Sequence, residues 1–138
     1  MNAEPPPVIL VVEDNDAIRE NVGELLEMEG FVCWMACDAD AALRRLEAEG
    51  RRPDVVLLDL LMPGLPAADF VAQVRRRAAW AAAPIVLMTA LCESDVPGDL
   101  EVDAVVLKPF RAEALLEVVR AAAAGRELAS LPRERSAE

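Results

Sequence analysis

Val8-Ile9-Leu10-Val11-Val12 is an unbroken apolar run, mostly β-branched, that stops at two acids, Glu13-Asp14. Such a run is too short for a helix. Apolar side chains at every position, not at every second one, belong to a strand buried on both faces. Four further runs read the same way: Phe31 to Ala36, Val55-Val56-Leu57-Leu58, Ile85-Val86-Leu87-Met88 and Val105-Val106-Leu107. The stretches between them have helical spacing. Ile18, Val22, Leu25 and Leu26 mark a helix over Asp16 to Met28, closed by Gly30. Ala39, Leu43 and Leu46 mark a second, stopped at Gly50. Phe70, Val71 and Val74 mark a third, with Arg75, Arg76 and Arg77 near its C-terminal end, where the helix dipole favours cations. Leu115, Leu116, Val119 and Ala123 mark the last, stopped at Gly125. Doubly apolar strands alternating with helices predict an α/β fold, a doubly wound parallel sheet with helices on both faces. Leu91 to Val102 breaks the alternation. Cys92-Glu93-Ser94-Asp95-Val96-Pro97-Gly98-Asp99 carries a Pro-Gly in its middle, so one or two helical turns at most are expected there, and otherwise a loop.

The chain has 138 residues, 54% of them hydrophobic, and a net charge of −11. That is one domain with enough apolar surface for a real core. Residues 8–126 are expected to form it, with residues 1–7 a disordered N-terminal arm and residues 127–138 a flexible tail containing Pro132. The acidic balance disfavours nucleic acid and anionic membrane surfaces as direct partners. Histidine is absent, which removes His general bases, Ser-His and Cys-His pairs, and His-ligated zinc. Cys33 and Cys37, four apart along an expected strand, would lie ~13 Å apart, too far for a disulfide. With Cys92 they read as idle thiols of a reducing compartment. Met1 to Pro7 has no basic region or signal-type apolar core, and no apolar stretch reaches the ~20 residues of a membrane span, so a cytoplasmic location is expected.

Open parallel sheets bind ligands at the carboxyl ends of their strands. Glu13-Asp14 follows the first run, Asp59 the third, Thr89-Ala90 the fourth and Lys108-Pro109 the fifth. Asp38, after the second run, is set aside because that strand is expected at the sheet edge. Alone, each of these is a common strand-end or capping residue. Together they place three carboxylates, a hydroxyl and an ammonium on one rim. Two carboxylates ~4 Å apart repel by about 4 kcal/mol at an effective dielectric near 20. Either one takes up a proton or a cation binds, and hard oxygen ligands suit Mg²⁺. With phosphate present, Lys108 could pair with one phosphoryl oxygen, Thr89 could donate to another, and a carboxylate could become an acyl phosphate.

This set resembles the receiver domain of two-component response regulators: Glu13-Asp14, then Asp59-Leu60-Leu61-Met62-Pro63-Gly64, Thr89-Ala90 and Lys108-Pro109-Phe110, in that order, across Val8 to Gly125. The resemblance implies a flavodoxin-like sheet of order 2-1-3-4-5. It implies Asp59 as phosphoacceptor and Thr89 and Lys108 as the groups that read the phosphoryl. Glu13, Asp14, Asp59 and the Leu61 carbonyl would hold Mg²⁺, and the Lys108–Pro109 bond would be cis. The implied function is capture of a phosphoryl group from the phosphohistidine of a histidine kinase or phosphotransfer protein. The domain would catalyse its own phosphorylation and dephosphorylation, without being an enzyme on an external substrate. A downstream protein would read the result, with the receiver a monomer or weak homodimer. Ile18 and Val22 lie on the expected kinase-docking helix. A stand-alone receiver, with no output domain after Gly125, is expected.

The sequence also departs from the family pattern. Val105 stands where an aromatic residue is usual, and no Tyr occurs, so the usual aromatic switch coupled to Thr89 is missing or replaced. Ala67, after Pro66, stands where Gly is usual. The 19-residue interval from Thr89 to Lys108 is about three short, nearly one helical turn, in the segment already broken by Pro97 and Gly98. These departures keep an alternative open: a receiver-like interaction module whose output does not depend on phosphorylation. An aspartyl-phosphate hydrolase would want an acid at Leu61, and a flavin site would want a Ser/Thr/Gly-rich first loop; neither is present. Leu61 and Leu91, two beyond Asp59 and Thr89, are expected to hinder water and slow autodephosphorylation. Trp34, Trp80, Met28, Met35 and Met88 read as packing residues, and Arg75 to Arg77 as a solvated helix end.

Overall fold

The computed structural model describes residues 5–90 and 100–125. The expected N-terminal arm lies partly, and the expected tail and the Pro97-Gly98 break and Leu91 wholly, outside the described residues. Strand β1 (Val8–Val12) is buried at every position, as its unbroken apolar run requires. Helix α1 (Asp16–Met28) starts where the Asn15 side chain accepts the Ile18 N–H, and ends before Gly30 at φ 95°. Edge strand β2 (Val32–Ala36) follows, then α2 (Ala39–Glu49), capped by the Asp38 side chain on Ala41 N–H. It ends on Gly50 at φ 72°, a left-handed cap that a Cβ would strain. Next come β3 (Val55–Asp59), α3 (Ala67–Arg76), β4 (Ile85–Thr89), β5 (Ala104–Leu107) and α4 (Ala112–Ala123). All pairings are parallel, in the order β2-β1-β3-β4-β5. This is the expected flavodoxin-like sheet.

Two cores sandwich it. Leu10, Val12, Leu58 and Leu87 pack under Ala42 and Leu46 of α2 and Phe70, Val71 and Val74 of α3. Ile9, Val11, Leu57 and Met88 pack under Val22 and Leu26 of α1 and Leu115 and Val119 of α4. Each fully buried Leu or Ile contributes roughly 2 kcal/mol, so β3 and β4, buried at every position, anchor the sheet.

Two aspartates fix the strand N-termini. Asp54 donates its backbone N–H to Val8 O and accepts Val8 N–H on Oδ2, both at 2.7 Å. Asp103 does the same with Ile85, both bonds at 2.8 Å. The register of β1 with β3, and of β4 with β5, is thereby pinned at the end away from their carboxyl termini.

Three readings are corrected. Met28 is 81% exposed, because it closes α1 beyond the last residue that reaches the sheet. Strand β2 is only half-buried, because an edge strand has a neighbour on one side. Arg75 is no solvated helix end. Its Nη1 donates to the carbonyls of Ala81 (2.8 Å) and Ala83 (2.7 Å), and its Nη2 to the Glu101 carbonyl (2.8 Å) and Asp103 Oδ2 (2.9 Å). It thus ties the end of α3 to the entries of β4 and β5. Trp34 and Trp80 are buried as expected. Cys33 and Cys37 are free thiols, and burial followed by the Glu27 charge pushes Cys33 up to about 11, which leaves it unreactive. No helix among the described residues is long and apolar enough to cross a membrane.

Candidate functional site

The carboxyl ends of β1, β3, β4 and β5 carry Glu13-Asp14, Asp59, Thr89 and Lys108 onto one rim. Registry does the alignment: Asp59 pairs with Met88, one residue before Thr89, and Thr89 pairs with Leu107, one residue before Lys108. The Thr89 carbonyl then accepts Lys108 N–H at 2.7 Å. The Lys108–Pro109 bond is cis, as the resemblance implied.

Glu13 is 1% exposed and Asp59 5%, whereas Asp14 is exposed. One oxygen from each of the three lies within 4.8 Å of the others. Glu13 is held firmly. Its backbone N–H donates to Ala36 O, its carbonyl accepts Arg19 Nη1 at 2.9 Å, and Oε2 accepts Asn15 N–H at 3.1 Å. Its other oxygen accepts Lys108 Nζ at 2.8 Å, and the same Nζ stands 3.5 Å from Asp59 Oδ1. Asp59 Oδ1 also faces Leu61 N–H at 3.4 Å, which brings the Leu61 backbone beside the carboxylate.

One ammonium among three carboxylates leaves the site short of positive charge. Burial, first, pushes the Asp59 carboxyl up to about 6; Lys108 opposes this, and Glu13 adds to it. The donor set fits a divalent cation bound through hard oxygens: Glu13, Asp14 and Asp59 converge, and Leu61 stands at the rim. Among the expected site residues, the structure gathers Glu13, Asp14, Asp59, Leu61, Thr89 and Lys108 on one rim. The Lys108–Glu13 pair and the Arg19 bond to the Glu13 carbonyl had no signal in the linear sequence. Asn15 did: an Asn just before a helical pattern is a capping signature.

A profile of the response regulator receiver domain matches residues 9–120. The chain belongs to that family. Receiver domains are the phosphoacceptor modules of two-component signalling, and the intact donor set weighs against the phosphorylation-independent alternative. This receiver is 34% identical over 116 residues to the sensory transduction protein RegX3 of Mycobacterium tuberculosis, covering 82% of this chain and 49% of that protein. It is 37% identical over 133 residues to the transcriptional regulatory protein CseB of Streptomyces avermitilis, covering 94% of this chain and 54% of the relative. The chain therefore spans about half the length of these relatives. Its fold superposes on the chemotaxis response regulator CheY4 of Vibrio cholerae with TM-score 0.76 at 28% identity, covering 85% of this chain and 98% of that one.

Ala67 is the buried first residue of α3, after Pro66 at the N-cap, and among the described residues no non-glycine has positive φ. A Gly is therefore not needed at that position. Val105 is half-buried against the α2–α3 side of the sheet.

Proposed function

We propose that Asp59 is the phosphoacceptor of this receiver and that Glu13, Asp14, Asp59 and the Leu61 carbonyl hold Mg²⁺. The observation that carries the reading is Lys108 Nζ, shared between Glu13 and Asp59 in a cluster of three carboxylates. The phosphoryl donor is a phosphohistidine on a histidine kinase or phosphotransfer protein. An Asp59 oxygen attacks phosphorus in line, the P–O bond forms as the P–N bond breaks, and the imidazole leaves with the electron pair. When bound, Mg²⁺ supplies positive charge to the transferring phosphoryl oxygens. Lys108 turns from Glu13 toward one of those oxygens, and the buried Thr89 hydroxyl donates to another. In this way the domain promotes its own phosphorylation. It is not an enzyme on an external substrate. Water later cleaves the acyl phosphate, and Leu61, 61% exposed at the rim, impedes that step.

The donor protein docks beside the site. Ile18, Asn21 and Val22 of α1 face Ala90, Pro109 and Phe110 across a recess of about 380 Å³ that reaches Lys108. Phosphorylation shifts the population toward a state that binds a downstream protein better. The module acts in the cytoplasm, where such kinases present their phosphohistidine. Amide NMR spectra with Mg²⁺ and beryllofluoride test the reading. Shifts at Asp59, Thr89 and Lys108 that vanish in Asp59→Asn support it, and unchanged spectra contradict it.

A further inference from the structure

Two local surfaces of opposite charge lie on opposite sides of the sheet of this receiver. The C-terminal ends of α2 and α3 meet on one side, where Arg77 Nη2 pairs with Glu47 at 2.8 Å. Arg45 and Arg51 both lie over the ring of Trp34, at 5.5 and 5.4 Å from its centre, and Arg77 lies over Trp80 at 4.3 Å. Burial of both indoles therefore fixes three guanidiniums, at low entropic cost, in one surface. Arg52 and Arg76 are exposed beside them and make no ion pair among the described residues. Glu47 and Glu49 of α2 and Asp103 beside α3 are each engaged by an arginine. A basic face thus stands on a chain of net charge −11.

On the other side of the sheet, one stripe of α1 is acidic. Asp16, Glu20, Glu24 and Glu27 are all exposed on α1 and recur at helical spacing, within an arc of about 80°. Among the described residues Glu20, Glu24 and Glu27 have no cationic partner. Helices α1 and α2–α3 pack on opposite faces, so one copy cannot bring the two surfaces together.

We propose that the arginine face at the ends of α2 and α3 docks the acidic stripe of α1 of a second copy. The contact is heterologous, head to tail: one copy keeps its acidic stripe free and the other its arginine face. In roughly 0.1 M salt the Debye length of about 10 Å limits each charge to its near neighbours, so the local match outweighs the repulsion of two acidic chains. The contact is weak, salt-sensitive, and independent of Asp59 chemistry.

Sedimentation of the full chain in roughly 0.1 M NaCl tests this, with a repeat in roughly 1 M NaCl, where the Debye length falls to about 3 Å. Mass that rises with concentration in low salt, and a loss of that rise in high salt, is expected. Arg51→Glu/Arg52→Glu/Arg76→Glu is expected to be monomeric. So is Glu20→Lys/Glu24→Lys/Glu27→Lys. An equimolar mixture of the two is expected to associate, although both variants remain net acidic; the wild-type stripe of the first meets the wild-type arginine face of the second. Circular dichroism confirms that each variant is folded. A monomer at every concentration overturns the proposal. So does association that persists in high salt, or a mixture no heavier than its components.

Discussion

Lys108 Nζ lies 2.8 Å from Glu13 Oε1, a carboxylate 95 residues earlier in the chain, and 3.5 Å from Asp59 Oδ1. This ammonium holds together two buried acids at the carboxyl ends of two different strands. Removing it leaves both uncompensated, and an unpaired buried charge costs about 3 kcal/mol or more. Lys108→Met is therefore expected to lower the unfolding free energy of the metal-free protein by about 3 kcal/mol at neutral pH. Adding Glu13→Gln is expected to recover a large part of it. Urea denaturation of both single variants and the double variant measures the coupling.

The raised Asp59 carboxyl makes stability depend on pH. Its folded value is about 6 against an ordinary 3.8, so between those limits the folded chain binds more protons than the unfolded one. The contribution is present in full below the unfolded value and is lost as pH rises through about 6. In the metal-free protein this amounts to up to about 3 kcal/mol. Asp59→Asn is expected to be more stable than the parent above pH 6, with the gap closing toward pH 4. Mg²⁺ is expected to stabilise the parent more than the variant. Thermal melts across pH, with chelator and with Mg²⁺, check both statements.

Arg75 donates to four acceptor groups at the end of the sheet away from the site. Arg75→Ala leaves the carbonyls of Ala81 and Ala83 without this donor, and is expected to cost about 2–3 kcal/mol. Arg75→Lys is expected to recover less than half, because a point charge cannot span carbonyls on two segments as a planar fork does. Chemical denaturation of both variants decides it.

Leu61 stands 61% exposed beside Asp59, with its N–H toward Oδ1. An amide there can orient an attacking water, whereas an isobutyl group excludes it. Leu61→Asn is expected to speed loss of the phosphoryl group by about tenfold, or about 1.4 kcal/mol of barrier. A phosphate-release assay on the phosphorylated protein reads this directly, and an unchanged rate would remove the proposed role of Leu61.

The strands were legible because a buried parallel strand is apolar at every position, and the helices because Gly30, Gly50 and Gly125 follow their last periodic residues. The rim was legible too, since the end of each strand is also the end of its apolar run. Arg75 was not. Three adjacent arginines at a helix end look alike in sequence, and only the positions of the Ala81, Ala83 and Glu101 carbonyls single one out. Nor was the Lys108–Glu13 pair, which depends on how far each side chain reaches across β3 and β4. Met28 misled because apolar character marks a face, and the last residue of a helix can lie past the surface that face covers.

The central claim is that Asp59 captures phosphate with a divalent ion and Lys108 in attendance. Intact-mass measurement after incubation with acetyl phosphate and Mg²⁺ tests it most directly. A single added phosphoryl group, lost on treatment with hydroxylamine as an acyl phosphate must be, and absent with chelator or in Asp59→Asn, is the expected result. An unlabelled parent protein, or a label that persists in Asp59→Asn, would contradict it.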